Sequence, residues 1–231
     1  MMSLHFPRIA LAALGGLICA GNAAQAGVIT SVTTTALPGS STATIGPIGA
    51  TPAPNNDNAT AASPNTVPYS VFFNGSLGPL QVELATNNSG GTTEYRFTQT
   101  FINNTGQVWT GFVFELGYGL GAAFTPSGGT DGLDFDWPNA DPTPTASLFS
   151  VLSHQSDRIA WSAGSVPSVG VMTLTFAIDV PDSLAAFNPD EVNRFTLRQT
   201  PIVATHSVPE PSPLLLLGAG LLALVSWRRR V

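Results

Sequence analysis

Between Val171 and Val180 the chain alternates. Met172, Leu174, Phe176, Ile178 and Val180 fall on one side, and Val171, Thr173, Thr175, Ala177 and Asp179 on the other. A period of two is what a strand with one buried face requires. Tyr95, Phe97 and Phe101 against Glu94, Arg96, Thr98 and Thr100 repeat the pattern. Asn103-Asn104-Thr105-Gly106-Gln107 follows, in residues that tolerate positive φ. An apolar run with Trp109, Phe112, Val113 and Phe114 then extends from Val108 to Leu116. Strand, short turn and strand predict a β-hairpin here. Shorter strands are predicted at 69–73, 80–84, 147–152, 158–161 and 194–199, with a single helical turn near 182–187. No long helical period interrupts them. About eight short strands separated by Pro- and Gly-rich turns predict an all-β domain, an antiparallel β-sandwich.

The flanks behave differently. Residues 27–66 are dominated by Thr, Ser, Ala, Pro, Gly and Asn. So few large side chains predict a disordered low-complexity segment, relieved by an early strand at 28–35. The sandwich domain is expected at 67–199, an extended spacer at 200–207, and a separate tail at 208–231. At the other end, Arg8 precedes an apolar stretch from Ile9 to Ala20, and Ala24-Gln25-Ala26 supplies a small-x-small cleavage pattern. Residues 1–26 therefore read as a secretory signal peptide, its apolar run shorter than the ~20 residues of a membrane span. Cys19, the one cysteine, leaves with the signal. Stability must then come from packing and not from disulfides.

Charge narrows the partners. The formal net charge is −6, there is no lysine, and four of the eight arginines, Arg8 and Arg228 to Arg230, sit in the end segments. An acidic domain repels nucleic acid, which excludes that class of partner. The domain also has little catalytic equipment. Its histidine is His154, in a polar stretch that reads as a turn, while His206 falls in the spacer. Nucleophile–base pairs are scarcely available. Glu83, Glu94 and Glu115 formally offer paired carboxylates for glycoside hydrolysis, but Glu83 and Glu94 fall on the polar face of strands and read as solvated, so no enzyme is expected. Asp131, Asp134, Asp136 and Asp141 place four carboxylates on a Gly-rich loop. Oxygen ligands on a loop suit calcium, although the spacing is not that of an EF-hand; the alternative is turn chemistry, with Asp capping backbone amides. Asp134 and Asp136 share a side if this stretch is extended. Asn-x-Ser/Thr sequons at Asn58, Asn74, Asn87 and Asn103 carry no argument.

The tail is the most specific signal. Val208-Pro209-Glu210-Pro211 precedes an apolar run from Leu214 to Val225, and Arg228-Arg229-Arg230 closes it. This order resembles the PEP-CTERM sorting signal of exported bacterial proteins. The resemblance implies processing at Pro209-Glu210-Pro211 by an exosortase, a membrane-embedded transpeptidase, with delivery to the envelope surface or the exopolysaccharide matrix of a Gram-negative bacterium. The segment 213–227 would form a transmembrane helix of roughly 22 Å against a ~30 Å hydrocarbon core, a short and temporary stop held by its arginines. The domain resembles PEP-CTERM passengers more loosely, through Asn103-Asn104-Thr105-Gly106 with the following Trp109, and through Leu133 to Asp136. Two functions follow: a non-catalytic surface or matrix protein, or a carbohydrate-binding module using Trp109, Trp137 or Trp161 on matrix polysaccharide. If all three tryptophans are buried, the second loses its basis.

Overall fold

The computed structural model describes residues 27–36, 41–49, 53, 60–75, 77–88, 90–136 and 142–204. These form an all-β unit of twelve strands with nearly no helix. In chain order the strands are β1 (Val28–Ala36), β2 (Thr42–Ile45), β3 (Thr66–Asn74), β4 (Leu80–Asn87), β5 (Thr92–Asn104) and β6 (Trp109–Tyr118). They continue with β7 (Thr125–Pro126), β8 (Thr145–Ala146), β9 (Phe149–Gln155), β10 (Arg158–Gly164), β11 (Val171–Pro181) and β12 (Arg194–Val203). The predicted helical turn is a short 3-10 helix, Leu184–Ala186.

The strands divide between two sheets. The larger runs β1-β4-β12-β6-β10-β9, with β7 added beside β6, and the smaller runs β2-β3-β5-β11-β8. All pairs are antiparallel except β3 with β5. That exception follows from the path of the chain: β3 and β5 lie in the smaller sheet and β4, between them, lies in the larger. Two successive reversals, one into β4 and one out of it, leave β3 and β5 pointing the same way.

One core lies between the sheets. Phe101 from the smaller sheet meets Phe112 from the larger at 4.6 Å between ring centroids, and Phe176 meets Phe114 at 4.7 Å. Phe73, Trp109, Trp161 and Phe135 extend this aromatic layer. Rings at 4.5–7 Å in tilted or edge-on arrangements add to the burial of their area. The alternating faces were therefore legible: Met172, Leu174, Phe176, Ile178 and Val180 are all buried.

Three expectations are corrected. First, β5 and β6 are not a hairpin, because they belong to different sheets. Residues 105–108 carry the chain across the gap between them as an arch. The alternation of each strand is the same whether its neighbour is beside it or opposite, so the pattern could not distinguish the two. Second, the segment 27–66 forms the expected early strand as β1 and also supplies β2, with Ser63 and Asn65 buried, so its described residues are ordered parts of the domain. These strands border the sheets and take their hydrogen bonds from existing ladders, so they need little apolar surface of their own. Third, β12 runs through residue 203 into the expected spacer, and the strands number twelve, not eight.

Candidate functional site

The arch is held by one side chain. Asn103 is fully buried, and its Nδ2 donates to the carbonyls of Gln107 (2.7 Å), Val166 (3.1 Å) and Pro167 (3.0 Å). Its Oδ1 accepts from the Thr105 amide and hydroxyl, and the Thr105 hydroxyl oxygen accepts from Trp109 Nε1. Val166 and Pro167 belong to the β10–β11 connection, which crosses between the same two sheets. Asn103 thus fastens two neighbouring crossovers together. The Asn-Asn-Thr-Gly sequence and its following Trp are structural here. Trp109 is 0% exposed and Trp161 3%, so neither forms a sugar platform; Trp137 lies outside the described residues.

The three described aspartates of the loop, Asp131, Asp134 and Asp136, do not act as one set. Asp131 is buried and its carboxylate accepts from the Tyr118 hydroxyl (2.9 Å) and from the amides of Gly128 and Leu133. This is the turn chemistry that was the alternative for that residue. Leu133 and Phe135 enter the core, and between them the backbone of Asp134 pairs with Asp179 on the side of β11 away from β5. Phe135 donates its amide to Ser156, and its carbonyl lies 2.8 Å from His154 Nε2. The segment 131–136 therefore closes one side of the two-sheet body. Burial, and then the nearby Asp131 charge, hold the Asp134 carboxyl above its ordinary range, while His154 opposes them. His154 is part of β9 and not of a turn. Asp141 lies outside the described residues.

Asp136 joins a different pair. Glu94 on β5 and Asp179 on β11 are directly opposite in the antiparallel register. One carboxylate oxygen from each of Glu94, Asp136 and Asp179 lies within 4.8 Å of the others. Glu94 is 0% exposed, and neither of its carboxylate oxygens has a hydrogen-bond partner. This corrects the expectation of a solvated strand residue. Its outward-pointing position is covered where Ser63 and Asn65 fold against β5 and donate to the Glu94 carbonyl at 3.0 and 2.8 Å. One cross-strand pair further along the same face, at Arg96 and Ala177, a cavity of about 120 Å³ opens. Only strand register and tertiary cover bring the cluster together, since Glu94 and Asp179 are far apart in the sequence. The alternating pattern did place each of them on the polar side of its strand.

The other acidic strand residues are paired with arginine on the larger sheet. Arg194 meets Glu83 at 2.8 Å and Arg198 meets Glu115 at 2.7 Å, with the Arg198 guanidinium 4.0 Å above the Phe124 ring. Glu83 and Glu115 lie on one sheet and Glu94 on the other, so the three do not converge.

The tail residues Val208, Pro209, Glu210 and Pro211, the arginines 228–230, the signal-cleavage residues Ala24 and Ala26, and the expected span 213–227 all lie outside the described residues. Among the described residues no helix is long and apolar enough to cross a membrane. Comparison with protein families finds the PEP-CTERM protein-sorting motif at residues 207–230. The chain carries a PEP-CTERM tail. Such a tail implies an exported protein processed by an exosortase after transient membrane anchoring in a Gram-negative bacterium. No curated protein and no solved structure matches the chain.

Proposed function

We propose that this PEP-CTERM protein is a non-catalytic component of the cell surface or exopolysaccharide matrix, its two-sheet β-sandwich displayed after exosortase cleavage at Pro209-Glu210-Pro211. The observation that carries the reading is the sorting motif at residues 207–230. Its order matches a temporary stop in the membrane: Glu210 framed by prolines, an apolar run from Leu214 to Val225, and a closing cluster of three arginines, the residue type that holds a segment's cytoplasmic end. The domain supports the non-catalytic part. His154 is engaged with the Phe135 carbonyl, Glu83 and Glu115 are engaged with arginines, and the arch sequence around Asn103 serves the fold. With Trp109 and Trp161 in the core, nothing among the described residues favours the carbohydrate-binding alternative.

Mass spectrometry of the mature protein from its native host, with and without the exosortase, tests this. The expected product ends within or next to Pro209-Glu210-Pro211 when the exosortase is present. A mature chain that still ends Arg-Arg-Arg-Val in the wild-type host overturns the processing claim.

A further inference from the structure

We propose that Glu94, Asp136 and Asp179 form a binding site for one calcium ion. Two carboxylates directly opposite on neighbouring strands repel each other, and the third adds to the repulsion. An unpartnered buried carboxylate is costlier still, because burial removes its water and offers nothing in exchange. Both oxygens of Glu94 are in that position. A cation at the centre of the cluster removes both costs at once. Oxygens within 4.8 Å of one another fit around an ion with ligand distances of about 2.3–2.6 Å. The donors are all carboxylate oxygens, with no thiolate or imidazole among them, which selects a hard cation over zinc. The larger, geometrically tolerant calcium suits residues drawn from two strands and an edge segment better than magnesium, which demands near-ideal octahedral geometry. The ion would tie the segment 131–136 to β5 and β11 and so lock the closed side of the domain. The site stands on the domain's own residues and holds whether or not the tail is cleaved.

The test is thermal unfolding of the full chain in detergent, stripped with EDTA and then titrated with CaCl2 or MgCl2, alongside calorimetric titration. Wild type should bind one calcium per chain, with Tm rising by several degrees at millimolar calcium and less in magnesium. Glu94→Gln and Asp179→Asn should abolish the calcium-dependent rise. They should also raise the Tm of the EDTA-treated protein, a gain that loss of a purely structural contact would not produce. Asp131→Asn, outside the cluster, should keep the calcium response whatever it does to the starting Tm. A wild-type Tm indifferent to calcium overturns the site. So does a calcium response that survives Glu94→Gln and Asp179→Asn. A response to magnesium as large as that to calcium overturns the choice of ion.

Discussion

Gln199 on the larger sheet reaches across the core to hydrogen-bond the hydroxyl of Tyr69 on the smaller sheet, 130 residues away in sequence. Gln99, from β5, donates to the same hydroxyl oxygen. All three are buried, so this is a polar bridge between two layers otherwise joined by aromatic contact. Such a bridge fixes how the sheets sit on each other, because buried polar groups lose heavily when their partners move.

Tyr69→Phe keeps the ring and removes the shared hydroxyl, leaving the amides of Gln99 and Gln199 without it. The expected loss is about 2–4 kcal/mol, since each buried unpaired group costs about 1–3 kcal/mol. Urea unfolding of the variant against wild type measures it, and a midpoint shift near zero would mean the bridge contributes nothing to stability.

Alkaline pH should unfold the protein through the same group. Burial pushes the Tyr69 phenol well above its ordinary range, only partly offset by the Gln199 bond. Burial, with a further contribution from Asp131, does the same to Tyr118. Both keep their protons in the folded state where the unfolded chain, at about pH 10, begins to lose them. Their contribution is therefore fully present below about pH 10 and is lost as pH rises beyond it. Unfolding midpoints followed from neutral to strongly alkaline pH should be flat with respect to these two groups and then fall. Tyr69→Phe should shallow the fall.

Asn103→Ala should be among the most damaging single changes in the domain. It strips three carbonyls and the Thr105 amide and hydroxyl of a buried partner at the point where two crossovers meet. A loss of about 3 kcal/mol or more is expected. Thr105→Val, which removes the acceptor of Trp109 Nε1, should cost about 1–2 kcal/mol. Chemical denaturation orders the two variants. Equal losses would contradict the central place of Asn103.

On the outer face of the larger sheet, Arg198→Ala removes both the Glu115 pair and the cation above Phe124. Because the pair is partly solvated, about 1 kcal/mol is expected, much of it lost in high salt. A salt-independent loss would assign the effect to the covered arginine stem and not to the charge.

The sequence by itself determined the sorting motif at residues 207–230 and most of the longer strands of the domain. A sorting motif is a short ordered run of residue types, so it is legible without a fold around it. Alternation is equally local: Met172 to Val180 declared a buried face because a strand's side chains point both ways in turn. Tertiary structure alone decided which sheet each strand joined. Phe101 and Phe112 look the same in sequence whether they flank a hairpin or face each other across an arch, and it took Asn103's contacts with the β10–β11 connection to settle the path. It also decided the candidate site. Asp131, Asp134 and Asp136 are neighbours in sequence, yet Asp131 was taken by a turn, while Asp136 met Glu94 and Asp179 through strand register. Covering by Ser63 and Asn65 then changed Glu94 from an expected solvated strand residue into a buried carboxyl group. Proximity along a chain states which groups are available; only packing states which of them share a volume and whether water remains between them.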